Sequence, residues 1–90
     1  MKLTDEQIAE FDEQGYLVLP NCFSEAEIVA LREEEQGIYA SDREEVWRET
    51  SGAPRTAFAA HTYDTAHGLL GAHPRLVGPV MQLLDEEVYM

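Results

Sequence analysis

The chain is poor in cysteine, in cations and in long apolar runs, and each scarcity removes a class of function. One cysteine, Cys22, among 90 residues excludes an intramolecular disulfide framework and a thiolate-rich zinc site built by this chain alone. One lysine, Lys2, and five scattered arginines stand against 18 acidic residues, a formal net charge of −12. That leaves no basic stripe for a phosphate backbone, so nucleic acid is not an expected partner. An anionic membrane surface would repel the same charge. No apolar run approaches the roughly 18 residues needed to cross a bilayer. The first residues turn acidic at Asp5-Glu6 before any apolar stretch, so no secretory signal is expected and the cytoplasm is the default location. Internal repeats and low-complexity tracts are absent as well.

What is there is a globular composition of 44% hydrophobic and 9% aromatic residues. At 10.2 kDa it bounds the chain to one small domain or part of a larger one. Charge is uneven: residues 1–50 hold 14 of the 18 acids, whereas all three histidines lie in residues 51–90. We therefore expect residues 1–90 to form a single unit. Its acidic helix-strand-helix front covers 1–37, an irregular stretch covers 38–54, and strand and helices follow over 55–90.

Two helix starts share one grammar. Thr4 with Gln7, and Ser24 with Glu27, have the form of capping boxes; Leu3/Ile8 and Phe23/Ile28 supply the staples. The first helix should stop at Gly15 and the second near Gly37. Tyr16-Leu17-Val18-Leu19, bounded by Gly15 and Pro20, reads as a short buried strand. Ser41 to Glu45 could begin a short helix reaching Val46 and Trp47, before Ser51-Gly52-Ala53-Pro54 breaks it. Thr56 to Ala60 reads as a brief strand, and Asp64 as the cap of a short helix over 66–70. His73-Pro74 opens the most apolar helix, in which Pro79 should cause a kink or delay the start. Val88-Tyr89-Met90 reads as the opening of another strand.

The candidate chemistry is sparse. His61, Asp64 and His67 fall at i, i+3 and i+6 and include the ligand types of a non-haem iron site. The part-loop character of that segment favours capping or solvent-facing histidines instead. Arg55 follows a proline turn and could grip a carboxylate bidentately, or pair with one of the chain's many glutamates. Trp47 fits a core better than a ligand platform. Glu33, Glu34 and Glu35, at a helix C-terminus where the dipole opposes them, read as a solvated face.

Two stretches carry a resemblance. Leu3-Thr4-Asp5-Glu6-Gln7-Ile8 through Phe11, followed by Asp12 to Pro20, and then Phe23-Ser24 through Leu31-Arg32, resemble the opening of the phytanoyl-CoA dioxygenase family. The rear is similar to the family's ectoine-hydroxylase branch. The matching segments there are Arg55-Thr56-Ala57-Phe58-Ala59-Ala60-His61 and His73-Pro74-Arg75-Leu76-Val77-Gly78-Pro79 through Val88-Tyr89.

The resemblance implies an α+β fold, the helix-rich N-terminal lobe of a double-stranded β-helix (jelly-roll) oxygenase whose core strands are largely missing here. It implies Fe(II) and 2-oxoglutarate as cofactors of the complete enzyme, held by a His-x-Asp pair, a distant His and a later Arg. None of these falls in these residues, and His61-Thr62-Tyr63-Asp64 has the wrong spacing for the pair. Alone, the chain should bind neither cofactor and be inactive. Arg55, Phe58 and His61 are the implied substrate-lining residues, and the complete enzyme would hydroxylate, or less often halogenate, a small molecule. The alternative is a non-catalytic module, or half of a split enzyme, in which a partner chain completes the sheet.

Overall fold

The computed structural model describes residues 2–90 and contains four α-helices, a short 3-10 turn and one two-stranded sheet. The order is α1 (Asp5–Gln14), α2 (Glu25–Tyr39), β1 (Val46–Arg48), β2 (Pro54–Ala57), the 3-10 turn (Ala60–Thr62), α3 (Thr65–Gly71) and α4 (Pro74–Leu84). It is thus helix-rich with a minor β component, and it divides into two compact units: residues 1–22 with 71–90, and residues 23–70.

In the first unit both expected caps are present. The Thr4 hydroxyl accepts the Gln7 amide N–H at 3.2 Å, and the Gln7 side chain accepts the Thr4 N–H at 2.9 Å. Gly15 ends α1 at φ +80°, donating to the Phe11 carbonyl at 2.8 Å; a Cβ would be strained there. Leu3, 3% exposed, is pinned from α4 at both backbone atoms. Its N–H donates to Gln82 Oε1 at 2.7 Å and its carbonyl accepts from Gln82 Nε2 at 3.0 Å.

The apolar helix starts at Pro74, so Pro79 does not delay it. His73 caps it, Nδ1 accepting the Arg75 N–H at 3.1 Å. Pro79 is buried within the helix and has no N–H to give the carbonyl four residues earlier. That carbonyl, of Arg75, instead receives the Cys22 thiol at a sulfur–oxygen distance of 3.8 Å. The Arg75 guanidinium returns the contact, donating to the Cys22 carbonyl at 2.7 Å.

Residues 16–19 and 88–90 do not form strands. Tyr16 and Val18 are exposed while Leu17 and Leu19 are half-buried, an extended alternation without a ladder. A strand needs a neighbour to take its backbone hydrogen bonds, and the chain's two strands both lie in the other unit.

In the second unit, α2 carries the Ser24/Glu27 capping box and runs two residues past Gly37 to Tyr39, with Ile38 buried. The expected helix at 41–47 is replaced by a turn, with Val46 N–H donating to the Arg43 carbonyl at 3.1 Å, and then by β1. The β-branched and aromatic pair Val46-Trp47 suits a pleated strand better than a helix end. β2 pairs antiparallel with β1, Val46 opposite Ala57 and Trp47 opposite Thr56, with an irregularity between Trp47 and Arg48. It starts two residues before the expected strand and ends at Ala57.

Candidate functional site

Arg55, Phe58 and His61, the three expected substrate-lining residues, are each exposed on the second unit, on β2, just after it and in the 3-10 turn respectively. The hairpin turn is closed by Glu49 N–H to the Ala53 carbonyl at 2.8 Å and Gly52 N–H to the Glu49 carbonyl at 2.9 Å. Arg48 ties the hairpin to the end of α2 by donating to the Tyr39 carbonyl. On β2, Arg55 faces Glu49 with Nε 3.9 Å from a carboxylate oxygen, and both side chains are mostly exposed. That is the glutamate pairing the sequence left open. It is a loose contact that leaves most of the guanidinium available.

Phe58 follows β2 and packs edge-on against Trp47, with ring centroids 5.0 Å apart and planes at 73°. The pair is diagonal across the ladder, since Trp47 opposes Thr56. Both rings stay about half exposed, Trp47 at 54% and Phe58 at 49%, so Trp47 is part of a surface platform and not a core residue.

Beyond Phe58 the chain turns sharply at Ala59, whose φ of +53° lies in the left-handed region, into the 3-10 turn that carries His61. The His61 side chain is exposed. Its carbonyl lies where a Cβ on Gly68 would approach to 3.0 Å, so glycine permits the close passage of this turn over α3. Arg55, Phe58 and His61 thus each meet different surroundings: a glutamate, an indole and solvent.

A second group of side chains is drawn together more tightly. Asp64 caps α3 as expected, one carboxylate oxygen accepting both the His67 N–H at 3.0 Å and His67 Nδ1 at 2.7 Å. The Asp64 side chain is only 12% exposed. The His67 ring bond, then the His67 backbone bond, holds the Asp64 carboxyl below its ordinary range. Glu34 reaches the same carboxyl from α2. That hydrogen bond first, and the Asp64 charge second, push Glu34 upward.

Glu34 and Asp64 line a cavity of about 190 Å³ with Gly37, Ile38, Ser41, Arg43 and Tyr63. Arg43 lies over the Tyr63 ring, 4.0 Å from its centroid, and 3.7 Å from Glu45. The Tyr63 hydroxyl is buried without a hydrogen-bond partner. Glu34 stays on the solvated face expected of it, at the rim of this pocket. Its long-range contact with Asp64 has no signature in helical periodicity. Among the described residues no three of His, Cys, Asp or Glu converge to hold a metal ion. His67 engages Asp64 as a cap-stabilising pair.

Comparison with known proteins bears on the chain as a whole. Residues 11–90 match the family model described as phytanoyl-CoA dioxygenase (PhyH). An ectoine dioxygenase of Bordetella bronchiseptica is 33% identical over 93 residues, covering 98% of this chain and 30% of the relative. An ectoine dioxygenase of Nocardia farcinica is 33% identical over 94% of this chain, again 30% of the relative. An L-proline trans-4-hydroxylase of Streptomyces griseoviridis is 35% identical over 89% of this chain and 30% of its own length. The chain thus spans about 30% of the length of the curated relatives it matches.

Proposed function

Because this chain belongs to the phytanoyl-CoA dioxygenase family, we propose that it is the N-terminal lobe of an Fe(II)- and 2-oxoglutarate-dependent oxygenase that hydroxylates a small molecule in the cytoplasm. The observation that carries this reading is the near-complete match of the chain to under a third of each relative. The apolar surface of the first unit supports it. Tyr16, Val18, Val80, Met81 and Leu84 are all exposed, as expected of a face that a jelly-roll sheet would cover in the complete enzyme.

No three metal-ligating groups converge among the described residues, so the reaction's iron does not fit this chain and no step is assigned through it. The lobe's own contribution is to the substrate side. The exposed Trp47–Phe58 platform would shield an apolar ring. Arg55 would exchange its loose Glu49 contact for a substrate carboxylate, held bidentately. His61, exposed on the adjoining turn, would supply a hydrogen-bonding edge. Ectoine and L-proline, in the relatives' names, indicate the size of substrate to try.

The test begins with the intact mass of the protein purified natively from its source. It continues with 2-oxoglutarate-dependent oxygen uptake on a panel of small cyclic amino acids. A mass well above 10.2 kDa, with turnover and with Arg55→Ala raising KM while kcat holds, is the expected result. A protein of 10.2 kDa that neither recruits a partner chain nor turns over any substrate would overturn it.

A further inference from the structure

We propose that the cavity between the last turn of α2 and Asp64 binds a small primary ammonium carried on a short aliphatic tail. Three features of the cavity call for an occupant. The first is Tyr63, which lines the space and whose hydroxyl is buried without a hydrogen-bond partner. A buried polar group left so costs free energy until something bonds to it. The second is Gly37, which lies inside α2 with no left-handed backbone to require a glycine. A Cβ there would meet nothing within 4 Å. Glycine weakens a helix relative to alanine, and here the missing methyl leaves the cavity wall open. The third is the end of α2, where the dipole is negative and no basic side chain stands in the last turn. The Ser41 N–H, which would continue the helix onto the Gly37 carbonyl, turns to the Ile38 carbonyl at 3.1 Å instead.

The lining decides what kind of occupant fits, because its polar atoms accept more than they donate. Ser41 has given its hydroxyl hydrogen to the Ile38 carbonyl at 2.6 Å and keeps only lone pairs. Asp64, its side chain 12% exposed, uses Oδ2 for both His67 bonds and leaves Oδ1 out of them. Those bonds hold its carboxyl below the ordinary range, so it stays charged. Glu34 adds a second carboxylate at the exposed rim. Arg43 has its charge met by Glu45 at 3.7 Å, and its guanidinium covers the Tyr63 ring. A negative, acceptor-rich space selects a cation with several N–H donors.

Other cations fit less well. A quaternary ammonium binds through an open aromatic face, and Arg43 already lies over that of Tyr63, 4.0 Å from its centroid. A metal ion needs ligands that converge, and among the described residues no three of His, Cys, Asp or Glu do. At about 190 Å³ the space is smaller than a drug-sized site, so the occupant has few heavy atoms. Ile38, 9% exposed, gives the tail an apolar wall beside Gly37. Arg55, Phe58 and His61 take no part in this lining, so binding here holds or fails apart from the oxygenase reading.

The test is an amide NMR titration of the 90-residue chain with propylammonium chloride, sodium chloride being lowered in step to hold ionic strength constant. Propanol and tetramethylammonium are the controls, one without charge and the other without donors. We expect saturable shifts confined to the amides of Gly37, Ile38, Ser41, Tyr63 and Asp64, with propylammonium alone. Gly37→Ala places a methyl in the space while strengthening α2, so it should raise the urea midpoint and abolish these shifts. Tyr63→Phe should bind about tenfold more weakly.

Shifts that spread equally over the acidic residues of α1 would reveal only the counterion atmosphere of a chain at −12, and they overturn the site. So does an equal response to either control, or wild-type affinity in Gly37→Ala or Tyr63→Phe. A chain whose amides lack folded dispersion both with and without propylammonium overturns it as well.

Discussion

The two units of this chain solve the problem of a thin core in opposite ways. The first, residues 1–22 with 71–90, is joined by contacts between residues far apart in sequence: Leu3 with Gln82, and Cys22 with Arg75. Its tethers are polar, while Tyr16, Val18, Val80, Met81 and Leu84 face outward. The second, residues 23–70, is held by local bonds: a hairpin, a capped helix and the Asp64–His67 pair. Its exposed aromatic pair has both members in contact, and three of its charged pairs lie within one another's reach: Arg43 with Glu45, Arg55 with Glu49 and His67 with Asp64. The first unit is thus closed by long-range polar tethers and the second by local bonds, while both leave apolar side chains exposed, Ile28, Val29 and Leu69 among them in the second.

If that contrast is right, the isolated chain should be marginal. We expect binding of hydrophobe-sensing dye and no cooperative melting above about 60 °C, within the usual mesophile range. A sharp transition above that temperature would mean the first unit needs no cover. The next largest effect should come from Gln82→Ala. It strips the partners from both backbone groups of the buried Leu3, at a cost of about 1–3 kcal/mol. Urea midpoints of the helical signal would read it.

Ser24→Ala removes a cap from the second unit and should cost about 1 kcal/mol. Met81→Ser with Leu84→Ser, on the exposed face of α4, should change stability by less than about 0.5 kcal/mol per site. A loss as large as that of Gln82→Ala would erase the distinction between tether and spare face. Arg55→Ala sits at the bottom of the scale, its solvent-exposed pair with Glu49 being worth about 0–1 kcal/mol. Its effect should appear in KM of the complete enzyme instead.

Local chemistry was legible in the sequence; partnership across distance was not. Both capping boxes, the Gly15 stop, Asp64 as a cap and Pro74 as a first helical residue are decided within four residues, and each is present. Tyr16 to Leu19 had the apolar content of a strand, but a strand is a property of two segments. Val46-Trp47 was misassigned to a helix because the acidic run before it resembles a helix start, whereas its partner nine to eleven residues on settles the matter. Arg55 beside Glu49 was one of the alternatives open, but Glu34 on Asp64 was not foreseeable from spacing. The family resemblance succeeded where these failed because it integrates many positions at once.

Pro79 has a last consequence. By withholding a hydrogen from the Arg75 carbonyl it recruits the chain's one thiol as a substitute donor. A half-buried thiol so engaged should meet an alkylating reagent faster when α4 and the segment ending at Cys22 separate. The labelling rate of Cys22 is then a clock for the opening of the first unit, built in without any engineered probe. Covering that unit with the remainder of an oxygenase should slow the clock, and Pro79→Ala, by restoring the helical donor, should quicken it.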